Sequence, residues 1–387
     1  MASLLPPSRV GALRRRLLDH YDRHRRDLPW RRERDPYRIW VSEVILQQTR
    51  VETAIPFYRR WVERFPTLDA LAAADREEVM AAWSGLGYYR RARHLHEAAR
   101  VVRDRSGGEL PSDARELRTL PGIGPYTAGA VASIAFGRRE PAVDGNARRV
   151  LSRLFDLELP SAAELQERAR ALVPPDRPGD FNQALMELGA TVCTPRNPSC
   201  DACPVAALCV ARARTTQHLR PSARTRSQLP VQHLVVAVLI APRGEMLVVR
   251  RPERGLLGGL WAFPAGRTEG RTEERTEVGA EDFSRGGAED AERLARGLTA
   301  ELECGTAVAL GVLRQAFSHR IEIYHAWLMR VGRVEEIENG RWVTTDGLAH
   351  LAMPVAQRRI ACAAIARLDA GDASRRRADD LRPKNIQ

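Results

Sequence analysis

Four of the six cysteines lie close together in the middle of the chain. Cys193, Cys200, Cys203 and Cys209 form the pattern C-x6-C-x2-C-x5-C. Intracellular proteins rarely use disulfides, so four thiols at this spacing predict a bound metal. Zinc and iron-sulfur clusters both accept four thiolates, and the spacing alone does not choose between them. The remaining Cys304 and Cys362 stand alone and are expected to be small core residues.

Two acidic residues have sequence surroundings that suit acid-base chemistry. Glu43 lies in an apolar stretch, Ile39 to Arg50, that is expected to be one helix. Poor solvation there raises the pKa of a carboxyl group, as a general acid near neutral pH requires. The alternative is a boundary glutamate whose carboxylate reaches water. Asp144, in Val-Asp-Gly-Asn, offers a second carboxyl group for the same site.

A turn rich in glycine and proline, Leu120 to Gly124, precedes the helical stretch Tyr126 to Ala135. Gly122 and Gly124 allow close approach to the backbone N–H groups at the start of this helix. Those groups can hold a phosphate without a charged side chain. The alternative is an ordinary turn between two helices.

The charge of the chain favours a polyanionic partner. The formal net charge is +12 and the pI is near 10.1, and basic side chains that neutralise phosphates release counterions. Biased codon usage could also give an excess of arginine, so charge alone does not decide the partner. The single lysine is Lys384. A lysine Schiff-base mechanism is therefore excluded from any packed active site, and only Lys384 and the terminal amine remain as candidates.

The elements that must position these residues fall into two predicted domains. Residues 1–210 show helical periodicity, 211–230 have the polar composition of a linker, 231–370 are mixed α and β, and 371–387 read as a mobile tail. Leu234 to Ile240 and Met246 to Val249 are predicted to form a hairpin. Ala291 to Leu302 and Val355 to Leu368 are predicted helices. The stretch between Gly266 and Asp290 is expected to be mobile.

The N-terminus lacks the continuous apolar core of a secretory signal, and no apolar run is long enough to cross a bilayer. We therefore expect a cytoplasmic, nucleoid-associated bacterial protein without membrane contact.

Together these motifs resemble the helix-hairpin-helix DNA glycosylases, and within them the adenine glycosylases of the MutY type. The resemblance covers roughly Leu13 to Val210 and rests on Glu43 with Leu-Gln-Gln-Thr, the turn Leu-Pro-Gly-Ile-Gly-Pro-Tyr, Val-Asp-Gly-Asn and the cysteine motif. Leu260 to Gly266 also resembles the Nudix-like domain with which these enzymes inspect the opposing base. The implied fold is an all-α helix-hairpin-helix glycosylase domain with an iron-sulfur cluster, followed by an α+β Nudix-like domain.

The resemblance implies a role for each matching residue. The catalytic residues would be Glu43, Asp144, Tyr126 and Asn146, and the cysteines would hold a 4Fe-4S cluster rather than zinc. Trp30, Arg31, Leu46 and Glu187 would line the base pocket. Gln48, Tyr88, Gly122 and Gly124 would contact DNA, and Phe317, Ser318 and His319 would recognise 8-oxoguanine. The partner would be double-stranded DNA with A:8-oxoguanine or A:G mispairs, bound by a monomer.

Three rival functions remain open at this point. An endonuclease III-type enzyme uses a lysine just after the hairpin glycines, where this chain has Tyr126. A Nudix hydrolase needs several metal-binding glutamates, but Arg296 to Glu301 offers Gly297 and Ala300 at positions that should be acidic. A structural DNA-binding protein with a redox cluster would result if Glu43 and Asp144 were merely solvated.

Overall fold

The computed structural model describes residues 6–222, 228–267, 284–297 and 304–380. The chain divides into two compact units. The first unit is Met1–Asp75 with Arg91–Thr225, and the second is Arg76–Arg90 with Arg226–Gln387. The short segment Arg76–Arg90 thus belongs to the second unit, although residues of the first unit flank it in sequence.

The first unit is helical, as predicted. Several of its helices begin where an Asp, Ser or Thr side chain accepts a backbone N–H bond, as Asp35 does from Arg38 and Ser161 from Glu164. The helices are α1 (Pro7–His24), α2 (Pro36–Leu46), α3 (Val51–Arg64), α4 (Leu68–Ala73), α6 (Arg90–Ser106), α7 (Ala114–Leu117), α8 (Pro125–Ile134), α9 (Gly145–Leu154), α10 (Ala162–Leu172), α11 (Pro178–Thr191) and α12 (Val210–Ala213). A core of leucine, valine and aromatic side chains joins α1, α9, α10 and α11.

Helix α2 is shorter than the sequence predicts, ending at Leu46 instead of Arg50. Arg91 of α6 donates to the carbonyl oxygens of Val44, Ile45 and Gln47 at 2.8, 3.0 and 2.6 Å. These carbonyls would otherwise lack partners at the helix end. Gln48 then takes a left-handed conformation with φ 58°, which turns the chain. The helix therefore ends because of a residue more than forty positions away in sequence.

The second unit contains a mixed seven-stranded sheet within the residues that the structure describes. The strand order is β3-β2-β1-β6-β5, with β4 paired to β1 and β7 paired to β2. Strands β1 and β6 run parallel from Val231↔Ile321 to Ile240↔Arg330. The strands are β1 (Val231–Ile240), β2 (Met246–Arg250), β3 (Trp261–Ala262), β4 (Ala265–Arg267), β5 (Val308–Ala316), β6 (Ile321–Arg330) and β7 (Gly340–Val343); the helices are α5 (Arg76–Ala82), α13 (Ser284–Arg296), α14 (Thr345–His350) and α15 (Val355–Asp380).

Alternate residues of the central strands pack into two separate cores, as expected for a sheet covered on both faces. Val236, Val238 and Ile240 of β1 face the core that contains α15, whereas Val235 and Leu239 face the core that contains α13. The second unit is therefore the predicted α+β domain, with a layer of helix on each side of the sheet.

The structure bears out the predicted hairpin, since β1 and β2 pair antiparallel through Ile240 and Met246. Three other expectations need correction. Helix α13 begins at Ser284, ahead of the predicted start at Ala291, and residues 268–283 of the stretch expected to be mobile lie outside the described residues. Helix α15 continues to Asp380, beyond the predicted end at Leu368. Cys362 is exposed on α15 rather than buried in the core.

Short helical turns occupy part of the predicted linker, at Val210–Ala213 and Gln217–Leu219. Residues 223–227 of the linker and residues 381–387, with Lys384, lie outside the described residues, as do Ala300 and Glu301. Among the helices that the structure describes, none has both the length and the apolar character needed to span a membrane.

Candidate active site

A cavity of about 860 Å³ opens in the first unit, between α2, α8, α9, α11 and the short turn Pro29–Arg31. Nine of the residues predicted to act at the site line it: Trp30, Arg31, Glu43, Leu46, Gln48, Tyr126, Asp144, Asn146 and Glu187. Residues far apart in sequence therefore meet at one cavity, although their roles in it remain predictions.

Glu43 lies on α2 near the end of that helix and is 6 % exposed. Burial raises its pKa to about 7, because a carboxylate loses its hydration there. The nearby negative charge of Asp144 also raises the pKa, whereas a hydrogen bond from Tyr126 and the charge of Arg31 lower it. The carboxyl group is therefore partly protonated near neutral pH. The alternative of a glutamate that reaches water does not apply.

Tyr126 lies at the start of α8, directly after the predicted hairpin turn. Its hydroxyl donates a hydrogen bond to Oε2 of Glu43 and lies 3.4 Å from the sulfur of Met186. Burial and the neighbouring acids raise the pKa of Tyr126 well above its ordinary value. The phenol therefore keeps its proton and serves as a fixed donor to one oxygen of Glu43.

Asp144 is the residue that caps the start of α9. One carboxylate oxygen accepts from the backbone N–H of Ala147 at 2.6 Å, and the other accepts from Nδ2 of Asn146 at 2.9 Å. Burial raises the pKa of Asp144, while these donors and the charge of Arg149 oppose the rise. The hydrogen bonds fix the carboxyl group at the cavity edge, and the positive end of the helix dipole favours its charged form.

A chain of hydrogen bonds fixes Asn146 in turn. Arg149 donates to Oδ1 of Asn146 at 2.9 Å and to the carbonyl oxygens of Gly189 and Cys193 at 2.7 and 2.8 Å. A Cβ atom on Gly189 would lie 2.7 Å from the Cβ of Asn146. Helices α9 and α11 thus approach closely enough that only glycine fits at position 189.

Glu187, on α11, also lines the cavity. Its carboxylate accepts from Nε and Nη2 of Arg26 at 2.7 and 2.9 Å, and from Nη2 of Arg31 at 2.8 Å. Burial raises the pKa of Glu187, but the two arginines outweigh burial and lower it to about 2. Arg26 could not be singled out from the sequence, because it lies in an arginine-rich stretch and pairs with a residue 161 positions away.

The four cysteines of the motif lie in one region, on the loop that follows α11. Each of the thiols Cys193, Cys200 and Cys209 influences the pKa of Cys203, so the four are neighbours. Four thiols held close together on one loop can hold a 4Fe-4S cluster, in which each thiolate binds a different iron atom.

The surroundings of the cysteines also suit an iron-sulfur cluster. Arg153, which is 3 % exposed, donates to Sγ of Cys193 at 3.3 Å and to the carbonyl oxygens of Thr194 and Pro195 at 2.7 and 3.1 Å. Hydrogen bonds to the sulfur atoms are among the features that adjust the reduction potential of such a cluster. The buried guanidinium would also offset the negative charge of bound thiolates.

The remaining predicted residues lie outside the cavity. Gly122 has φ +76°, and a Cβ there would lie 2.5 Å from Cβ of His94, so the turn requires glycine. Gly124 caps α8 with open space around it. Tyr88 belongs to the second unit and is 51 % exposed.

The predicted recognition residues form the turn between β5 and β6, also in the second unit. The N–H of Phe317 donates to the carbonyl oxygen of Arg320 at 2.8 Å, which closes this turn. Phe317 is half-buried, whereas Ser318 and His319 are exposed. Two polar side chains at an exposed turn are available for contact with a partner.

Models of known families match three parts of the chain. Residues 41–175 match the HhH-GPD superfamily of base excision DNA repair proteins, and residues 235–363 match the NUDIX domain. Residues 193–209, which span the four cysteines, match the iron-sulfur binding domain of endonuclease III. These matches confirm the predicted fold class and favour a 4Fe-4S cluster over zinc.

Individual relatives cover much of the chain. An adenine DNA glycosylase of Mus musculus is 36% identical over 91% of this chain and 77% of its own length. The Homo sapiens adenine DNA glycosylase is 43% identical over 66% of this chain, which spans 58% of the human protein. The structure of a thermostable thymine-DNA glycosylase, 31% identical, matches with a TM-score of 0.50 over 54% of this chain and 98% of its own. The cavity, the cysteine motif and these relatives agree: the chain belongs to the adenine DNA glycosylase family.

Proposed function

We propose that this protein is a monofunctional adenine DNA glycosylase of base excision repair. It would hydrolyse the N-glycosidic bond of adenine mispaired with 8-oxoguanine or guanine in double-stranded DNA, acting as a monomer. The observation that carries the proposal is the pair Glu43 and Asp144. The pKa of Glu43 is raised to about 7, and the charge of Asp144 acts on it at the same cavity.

The reaction needs two opposite electrostatic functions. Adenine is a poor leaving group, so it must gain a proton before it departs, and the sugar develops positive charge as the bond breaks. A protonated carboxyl group and an ionised carboxylate supply these functions, following the logic of glycoside hydrolysis.

Glu43 is the proton donor in this proposal. Its pKa of about 7 lets it hold a proton at neutral pH and release it readily. Because Tyr126 donates to Oε2, Oε2 acts as an acceptor and the transferable proton resides on Oε1. Glu43 gives this proton to N7 of adenine. The resulting carboxylate then assists the water that attacks the sugar.

Asp144 is the ionised partner. The N–H of Ala147 and the amide of Asn146 each satisfy one of its oxygens and stabilise the charged form. The carboxylate faces the sugar and stabilises its positive charge. Asn146 acts by holding Asp144, and Arg149 acts by holding Asn146.

The wall formed by Trp30, Arg31, Leu46 and Glu187 receives the flipped adenine. Trp30 and Leu46 offer apolar contact to the faces of the base. Arg31 and ionised Glu187 offer a donor and an acceptor to its edge.

The other predicted residues would bind the duplex. The hairpin N–H groups at Gly122 and Gly124 hold a phosphate, while Gln48 and Tyr88 contact the bases around the gap left by the flipped nucleotide. Phe317, Ser318 and His319 recognise the opposing 8-oxoguanine. The 4Fe-4S cluster bound at Cys193, Cys200, Cys203 and Cys209 organises the loop that Arg149 and Arg153 contact.

Release of adenine from a duplex with one A:8-oxoguanine pair tests the proposal. We expect free adenine and an intact abasic strand, with no borohydride-trapped adduct, because Tyr126 occupies the position of the lysine that a bifunctional enzyme uses. A trapped covalent adduct would contradict the monofunctional part. A protein that binds the mispair but releases no adenine would contradict the enzymatic part.

A further inference from the structure

The loop that carries Tyr88 has an unusually constrained backbone. Gly85, Gly87 and Tyr88 have φ values of 96°, 71° and 48°, so three residues of four adopt left-handed conformations. A tyrosine rarely adopts this conformation without support from its surroundings. The loop therefore depends on contacts that fix its shape, and these contacts determine where the exposed Tyr88 ring points.

Much of that support comes from Tyr89, which is 3 % exposed. Its hydroxyl donates to the carbonyl oxygen of Met353 at 2.8 Å. The hydroxyl oxygen of Tyr89 also lies 3.4 Å from the backbone nitrogen of Gly85 and 3.2 Å from Oγ of Ser84. This one oxygen thus ties Ser84 and Gly85 to the segment between α14 and α15.

The direction of these hydrogen bonds follows from the chemistry of each group. Arg358 of α15 can only donate, so Oγ of Ser84 accepts from its Nε at 2.9 Å. The Met353 carbonyl can only accept, so it takes the proton of Tyr89. The hydroxyl proton of Ser84 must then point to the Tyr89 oxygen. A single chain of hydrogen bonds runs from Arg358 through Ser84 and Tyr89 to Met353.

The segment before the loop is held in a similar way. The indole N–H of Trp261 donates to Oε1 of Glu77 on α5 at 2.6 Å, and the guanidinium of Arg341 lies 4.8 Å from the centre of the Trp261 ring. Arg76 also pairs with Glu253. These contacts are all internal to the second unit, of which Arg76–Arg90 is part.

We propose that Tyr89 and Arg358 are positioning residues for Tyr88, so that contacts within the second unit fix the aromatic ring that enters the DNA. The inference rests on the role of Tyr88 given under the proposed function. It assigns to Met353 and Arg358, which lie in the part of the chain that matches the NUDIX domain, a part in opening the base stack.

The test uses the full chain with the substitutions Tyr89→Phe and Arg358→Met. The first removes only the hydroxyl. The second removes the donor to Ser84 together with the donors to the carbonyl oxygens of Ala349 and Leu351. Arg358→Lys serves as the conservative variant, and Arg359→Met is the matched control on the same helix. Two quantities are measured: the fluorescence of 2-aminopurine placed beside the adenine, which reports unstacking, and the rate of adenine release in a single turnover at saturating and at limiting enzyme.

We expect Tyr89→Phe and Arg358→Met to lower the unstacking amplitude by about threefold to tenfold, because the loss of one ordinary hydrogen bond or somewhat more corresponds to a factor of this size. Adenine release should fall by a similar factor at limiting enzyme and by less at saturation. Arg358→Lys should recover part of the loss, and Arg359→Met should match the native protein. If Tyr89 and Arg358 had a purely structural role, the substitutions would change the unfolding temperature without this difference between limiting and saturating enzyme.

Native unstacking by both variants would overturn the inference. If Tyr89→Phe does not fold, the Arg358 series decides alone. If the native protein unstacks the mispair but releases no adenine, the enzymatic proposal fails. The comparison of unstacking between the native protein and the variants then still tests the positioning role of Tyr89 and Arg358.

Discussion

Two glutamates that line one cavity differ in ionisation near neutral pH. Glu43 and Glu187 are each 6 % exposed, yet burial raises the pKa of Glu43 to about 7 while that of Glu187 is lowered to about 2. The cause is the partner: a phenol that stays neutral faces Glu43, and two guanidinium groups face Glu187. Burial therefore does not set the ionisation of a carboxyl group by itself. Side chains brought in by tertiary packing decide which glutamate is partly protonated near neutral pH and which stays ionised.

The largest expected effect comes from Glu43→Gln, which removes the proton donor but keeps the shape of the side chain. Adenine release should fall about 10³-fold, within the usual range for loss of a general acid, while binding to the mispair persists. Single-turnover excision and a gel-shift titration measure the two quantities. Glu167→Gln, on the exposed side of α10, is the matched control. Excision by Glu43→Gln at the native rate would remove Glu43 from the mechanism.

The second expected effect comes from Glu187→Gln. The amide cannot balance the charges of Arg26 and Arg31, so Arg31 should leave its position in the base pocket. We expect kcat/KM to fall by about tenfold to a hundredfold, because the base pocket loses the paired donor and acceptor that Arg31 and Glu187 offer. A kcat/KM equal to that of the native protein would contradict the role of this pair in the base pocket.

The third prediction concerns pH. Native excision should decline above pH about 7, as Glu43 loses its proton. The hydrogen bond from Tyr126 lowers the pKa of Glu43, so Tyr126→Phe should raise that pKa and move the basic limb to higher pH. The rate of excision by Tyr126→Phe at pH 7 should fall only about twofold to fivefold, because a single hydrogen bond to Glu43 is lost. A plot of single-turnover rate against pH checks both statements, and a basic limb that moves to lower pH would contradict them.

The fourth prediction concerns stability. Glu43 has a pKa near 4.5 when unfolded and about 7 when folded, so the unfolded state ionises first as pH rises through this window. The free energy of unfolding of the native chain should therefore fall between pH 4.5 and 7. Glu43→Gln lacks this loss and should be more stable than the native chain at pH 8, by about 1–3 kcal/mol. Thermal unfolding at pH 5 and pH 8 compares the two proteins, and an equal difference at both pH values would contradict the assignment.

The sequence predicted the class of each domain because that information is local. Helical periodicity, the hairpin between Ile240 and Met246 and the spacing of the cysteines each lie within a short window. It also predicted that Glu43, Tyr126 and Asp144 serve one site, and all three line the cavity. The pairing of the two acids came from their sequence surroundings, whereas the role of Tyr126 came from a resemblance to known enzymes.

What the sequence missed depends on pairing between distant residues. Arg26 gave no signal among the many arginines, although it sets the charge of Glu187. The end of α2 was placed four residues late because its cap comes from Arg91. The membership of Arg76–Arg90 in the second unit was likewise invisible, since its partners Trp261, Met353 and Arg358 lie far along the chain.

The close approach at Gly189 limits how this enzyme family could be redesigned. Any larger residue there would collide with Asn146 and displace the carboxylate that Asn146 holds, so a library that varies position 189 would consist mostly of inactive proteins. Under the proposed function, changes in the accepted base are better sought at Leu46, which lines the cavity from α2. The lack of a single methyl group at position 189 thus separates a position that directed evolution must leave unchanged from the positions in this pocket that it can alter.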